Sequence, residues 1–250
     1  EELAANTQKL LEINPDNRVQ RTLLAHAHAN LGKHLEAAKE YDTAAGASPD
    51  TQESREEGID QGILLKNAAQ EYENAGETAL ALERWLAAGR VFLNADRHDE
   101  LSNILPSLLN SGANDARVHA LCAKHHFARE DYTRAKLELQ SARNLAVTAL
   151  ADKGEKENSL DPAVPYLEAL LLIREGKRDK AIPLLEEARA MDKDFFPFLF
   201  RLVECRWIKA AKSERKILDA ELSEALAHPG ADGWLFNLAA QIYLERNKLS

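Results

Sequence analysis

The sequence predicts an all-α solenoid, a stack of short antiparallel helix pairs. Three observations carry that expectation. Ala and Leu are abundant while Val, Ile and Thr are sparse, which disfavours strands. Helix breakers are few, and Gly32, Gly76 and Gly176 each follow a helical stretch as stops. The pattern also recurs: Leu10 and Pro15-Asp16 stand 34 residues before Ala44 and Pro49-Asp50. Such a period marks stacked units, because one helical hairpin cannot bury its apolar face alone.

The unit around Leu24 to Pro49 is the clearest. A first helix over about 19–31 ends at Gly32, and a second over about 35–46 ends before Ser48-Pro49-Asp50. Ala25, Ala37 and Ala44 allow close approach of the two helices, and Leu24 and Tyr41 fill the space around them. The spacing Leu24-Ala25-x2-His28, then Ala37-x3-Tyr41-x2-Ala44-x4-Pro49, resembles the tetratricopeptide repeat, whose pattern is W-x2-L-G-x2-Y, then A-x3-F-x2-A and a closing Pro. Further copies are Trp85-x2-Ala88-Gly89-x2-Phe92 with Leu101-x3-Leu105-x2-Leu108, and Cys122-Ala123-x2-His126 with Ala135-x3-Leu139-x2-Ala142. Another is Ala169-x2-Leu172, Gly176 and Ala181-x3-Leu185-x2-Ala188. Leu202-Val203 with Leu218, Leu222 and Ala225 is degenerate, and Ala239-Ala240-x2-Tyr243 is a first helix alone. The resemblance implies a right-handed superhelix whose first helices line the concave side.

The expected division is a partial repeat at 1–17, repeats at 18–51, 82–115, 116–149 and 162–195, a degenerate repeat at 196–231 and a partial one at 232–250. Residues 52–81 are read as an irregular long helix and connector, and 150–161 as an insertion loop. One segment has two phases. Ala68-Ala69-x2-Tyr72, Gly76 and Ala81-x3-Trp85-x2-Ala88 also fit a unit, which makes 82–95 a second helix instead of a first. The two phases are treated as exclusive, and the first-helix phase is preferred because it keeps the following units in step. Pro106 and Pro183 lie inside helical patterns; Pro183 is in a first turn, while Pro106 is a candidate kink. The chain reads as a fragment of a longer protein.

Composition narrows the function. The formal net charge is -9 with no basic block, a poor match to nucleic acid or an anionic membrane surface. The apolar run Ala169–Ile173 is far short of a membrane span. Cys122 and Cys205 do not form a Cys-x-x-Cys, and the weak inference is a reducing, cytoplasmic compartment, with the periplasm as the alternative. Cys122 and His126 are four apart and could share a metal, yet both fall on core slots, so no metal and no cofactor is expected. No phosphate loop or nucleophile motif stands out, and a stack of helices has few strained loops to present one. The expectation is not an enzyme.

The expected function is a non-catalytic scaffold that binds a peptide or helix of a protein partner in the concave groove. Arg90 and Lys124 are 34 apart in equivalent slots, and Arg117 precedes Lys124 by two turns. Together they form a cationic ladder suited to an acidic segment. Phe200 and Trp207, seven apart, are the apolar anchors. The family includes chaperone-binding members with a Lys and an Asn one turn apart on the first groove helix. Thr22 and His26 stand at those positions, which argues against a chaperone's terminal carboxylate. Three alternatives remain: a self-assembling scaffold joined through the solenoid ends, an accessory arm of an enzyme or envelope-polysaccharide export machine, and a metal-binding helix pair around Cys122.

Overall fold

The computed structural model describes residues 1–46, 54–153, 160–192 and 196–207, with short stretches at 222–223, 226–227 and 239–240. Among the described residues all regular structure is helical. The elements are α1 (Glu2–Ile13), α2 (Arg18–Asn30), α3 (His34–Gly46), α4 (Ser54–Asn74), α5 (Thr78–Asn94), α6 (His98–Ser111), α7 (Ala116–Ala128), α8 (Tyr132–Lys153), α9 (Ala163–Arg174), α10 (Arg178–Met191) and α11 (Phe196–Trp207). They fall into two compact units, Glu1–Asp131 and Tyr132–Ser250. Most of the expected second helix of the degenerate repeat, Tyr243 and residues 154–159 of the expected 150–161 loop lie outside the described residues.

The starts of α2 and α7 carry side-chain caps. Asn17 accepts from the Gln20 N–H at 3.0 Å, and Asp115 from the Arg117 N–H at 2.8 Å, each satisfying a donor with no helical partner. Five of the helix ends share one geometry. α2, α4, α5, α7 and α9 each close with a residue at positive φ: Gly32, Gly76, Asp96, Glu130 and Gly176. The next N–H then reaches back five residues, from Lys33 to His28, Glu77 to Tyr72, Arg97 to Phe92, Asp131 to His126 and Lys177 to Leu172, at 2.8–2.9 Å. These are Schellman turns, and each starts from the same slot of the repeating pattern.

This regularity corrects the exclusive choice of phase. α5 follows one such turn at Gly76 and ends in another at Asp96, so it is the second helix of α4–α5 and the first of α5–α6. Both motifs are realised, because they share Trp85 and Ala88, and Ala81, Trp85, Ala88, Gly89 and Phe92 are all buried. Segment 78–81 is therefore the first turn of α5 and no connector.

The first unit has two layers. Ion pairs join alternate helices on one side: Arg84 of α5 to Asp42 of α3 at 2.6 Å, and Glu83 of α5 to Arg117 of α7 at 2.8 Å. On the other side α2 and α4 line a common cleft, and Ser111 of α6 donates to Glu73 of α4 at 2.6 Å. Between the layers lies a core that includes Trp85, Leu86, Phe92, Leu101, Ile104, Leu108 and Val118. Glycine sets one close approach in it: a Cβ on Gly89 of α5 would stand 2.5 Å from a methyl of Leu121 on α7.

In the second unit Ala169, Ala181, Leu185, Leu202 and Cys205 form a buried cluster. Arg143 ties α8 to two of the helices that supply it. Its guanidinium meets Glu168 of α9 at 2.6 Å and Glu187 of α10 at 2.9 Å. The hydrogen bond that Arg143 donates to Glu168 is the main cause that holds the Arg143 pKa above its ordinary value.

Asp96 and Glu130 occupy turns that suit glycine. Glu130→Gly is expected to stabilise the chain by about 1 kcal/mol, because the left-handed conformation costs a side-chain-bearing residue about 1–2 kcal/mol and part of the gain is returned as chain entropy. Urea denaturation against a Glu130→Ala control checks it. A gain in the alanine variant as large as that in the glycine variant would show that the side chain, and not the backbone, is responsible.

Candidate functional site

The cationic residues read from the sequence lie on α5 and α7. Arg90 is exposed and Lys124 half-buried. Arg117 is engaged: its guanidinium holds Asp115 at 2.7 Å and Glu83 at 2.8 Å. The hydrogen bond to Asp115 raises its pKa, and burial and this bond act on Asp115 in opposite senses, with a net lowering. Two carboxylates therefore surround the guanidinium that the sequence offers as a rung of a positive ladder. Phe200 and Trp207 are on α11, and their side chains lie outside the described residues.

The other layer carries a feature the sequence reading passed over. α2 and α4 line a cleft of about 360 Å³, walled by Val19, Leu23, Ile63 and Leu64 with Arg18, Thr22, His26 and Asn67 around it. Val19 is 67% exposed, and Leu23 and Ile63 are each 39% exposed, so its walls are apolar side chains open to water. Thr22 turns its hydroxyl onto its own helix, donating to the Arg18 carbonyl at 2.8 Å. His26 Nδ1 pairs with the Tyr41 hydroxyl at 2.7 Å. Burial pushes the Tyr41 pKa up to about 12, so the phenol keeps its proton and donates it to the imidazole. Both positions where a carboxylate clamp would need a Lys and an Asn are thus tied into the fold. The available signal was the pair Val19 and Leu23, four apart beside the buried Leu24 and Ala25.

The second unit holds a cleft of about 340 Å³ between α8, α9 and α10, with Leu139, Leu171, Leu172 and Leu184 at its base and Arg143 and Glu168 at its edge. Cys122 is buried, and among the described residues no group of three or more His, Cys, Asp or Glu is arranged to hold a metal ion. Among the same residues no helix is long and apolar enough to cross a membrane.

No protein-family model matches the chain. A curated relative, a TPR repeat-containing protein of Treponema pallidum (strain Nichols), is 26% identical over 226 residues, covering 88% of this chain. The chain spans 25% of that relative's length. Among solved structures, yeast Tom70 matches with a TM-score of 0.56 at 14% identity, over 98% of this chain and 58% of that one. The APC/C hetero-tetramer Cut9–Hcn1 matches with a TM-score of 0.52 at 14% identity, over 97% of this chain and 46% of its own. The chain has the fold of these structures, a stack of antiparallel helix pairs, and the findings support its place in the tetratricopeptide-repeat family.

Proposed function

We propose that this chain is a non-catalytic protein-interaction scaffold that takes a peptide or helix of a partner protein. The open apolar cleft between α2 and α4 carries this reading. Its exposed Val19, Leu23 and Ile63 suit apolar side chains presented along a helix or strand, while Arg18 and Asn67 supply polar contacts at the edge. The relatives that share the fold favour a protein partner over a small substrate. Rigid helices hold the cleft open, so little ordering cost falls on the scaffold when a ligand enters.

Two other contact sets belong to the proposal. Arg90, Arg117 and Lys124 lie in the opposite layer of the first unit and would meet an acidic segment, with Arg117 giving up part of its hold on Glu83. Phe200 and Trp207 of the second unit are the apolar anchors. The test is capture of partners from a native extract, with three variants compared. Leu23→Glu with Ile63→Glu should lose the partner held by the cleft. Arg90→Glu with Lys124→Glu should weaken an acidic partner in a salt-dependent way, and Phe200→Ala with Trp207→Ala should remove an apolar one. Survival of every partner in all three variants sinks the reading.

A second reading is favoured by α1. Leu3, Leu10 and Ile13 on it are 54%, 48% and 82% exposed, a face able to stack on a second copy. Light scattering across a concentration series tests this, and a strict monomer counts against it.

A further inference from the structure

We propose that His98, His125 and His126 form a proton-operated latch that closes the α6–α7 hairpin at neutral pH and releases it on mild acidification. The three rings lie in series, inclined to one another by 53° and 62°. His98 and His125 have centroids 5.6 Å apart, and His125 and His126 5.4 Å apart. They join the start of α6 to the end of α7, the end of the hairpin opposite its connecting turn at 112–115.

The hydrogen bonds define the ring's neutral form. Ser102 Oγ donates to the His98 carbonyl at 2.8 Å, which uses its one proton. At 3.1 Å from His125 Nε2, the same oxygen can then only accept, so Nε2 carries the hydrogen and Nδ1 carries the lone pair. That Nδ1 is buried without a hydrogen-bond partner, and so is Nδ1 of His98. The His125 side chain is almost wholly enclosed, with 2% of the residue exposed.

A second proton on His125 would create a buried N–H⁺ with no acceptor. The charged groups facing it are His98 and Asp99 from α6 and His126 and Arg129 from α7. Asp99 alone is an anion, and it already pairs with Arg129 at 3.2 Å while remaining 92% exposed. The ring therefore has to leave its site to become charged. The backbone at this end of the hairpin is poised for that movement, since the strained turns at Asp96 and Glu130 flank the latch on both sides.

Burial is the main cause that lowers the His125 pKa from 6.5 to about 4, followed by the charges of His126 and His98. The folded state thus resists a proton that the open state accepts. The stabilisation is complete above pH 6.5 and is lost as pH falls toward 4, by about 30-fold in the closing equilibrium at pH 5.

Hydrogen exchange on the full chain tests this. Amides of 98–104 and 122–131 are compared with those of α2 and α3 at pH 7.5 and pH 5.0, each corrected for its intrinsic rate. The expected result is a loss of relative protection of about 30-fold in the native chain and its abolition in His125→Phe, which keeps a ring without a titrating nitrogen. Equal relative protection at the two pH values overturns the latch, and so does an undiminished loss in His125→Phe. Should that variant fail to fold, NMR titration of the native His125 ring decides: protonation at the ordinary histidine value overturns the proposal, and a ring still neutral at pH 5 in the closed state supports it.

Discussion

Replacing Phe92 with Ala is expected to destabilise the first unit by about 3–5 kcal/mol. The side chain is 1% exposed, and its ring fills the space between α5 and α4 at the place where Gly62 has no Cβ. An added Cβ at Gly62 would lie 2.6 Å from the ring edge, so the two helices are spaced by the aromatic ring and the missing methyl together. Removal of the ring leaves a cavity that α4 cannot collapse into without losing its contacts with α3. The loss is a large share of the about 5–15 kcal/mol that holds a typical domain together. Urea denaturation measures it, and a cost below about 1 kcal/mol would show that the site collapses freely. Coupling supplies a second check. Gly62→Ala is expected to destabilise the native chain through overpacking, and to do so less in a Phe92→Leu background, because the smaller side chain makes room for the methyl.

Leu185→Ala is expected to cost the second unit about 2–5 kcal/mol, in the upper half of that range. Leu185 is fully buried among Ala169, Ala181, Leu202 and Cys205. Its neighbours Ala169 and Ala181 have no side chain able to swing into the space left behind, so most of the cavity would persist. Hydrogen exchange of the α9 and α10 amides reads the loss locally. Leu185→Met, which conserves volume, should cost less than about 1.5 kcal/mol. Equal costs for the two substitutions would mean that packing around Leu185 is not what holds these helices together.

Much of this fold is legible in the sequence because the repeating slots demand small or specific side chains. Ala25, Ala37, Tyr41 and Ala44 in one pair, and Ala181, Leu185 and Ala188 in another, were named from spacing and are buried. Helix stops were legible where they are glycine. Two further turns, at Asp96 and Glu130, were hidden because an acidic residue occupies a backbone conformation that glycine usually marks. The candidate site was less legible for a physical reason: slot equivalence places a Cα but does not decide which neighbour a long side chain reaches. Arg117 occupies its expected helix, yet Asp115, two residues earlier, caps that helix and faces the guanidinium, while Glu83 approaches from α5. The α2–α4 cleft was passed over because Val19 and Leu23 fall outside the slots that define the repeat.

The double role of α5 has a consequence for which side of the stack meets a ligand. In the first unit the leading helices of successive pairs are α2 and α4, and then α5 and α7. The first two share the cleft layer, whereas α5 and α7 share the layer of the Asp42–Arg84 and Glu83–Arg117 pairs. At α5 the chain shifts its reading frame by one helix, much as a skipped base changes the meaning of every later codon. Residues in matching motif positions before and after that point belong to opposite layers of the unit. Alignments of this chain that count motifs will place His26 and Arg90 side by side, and alignments that count helices will keep them apart.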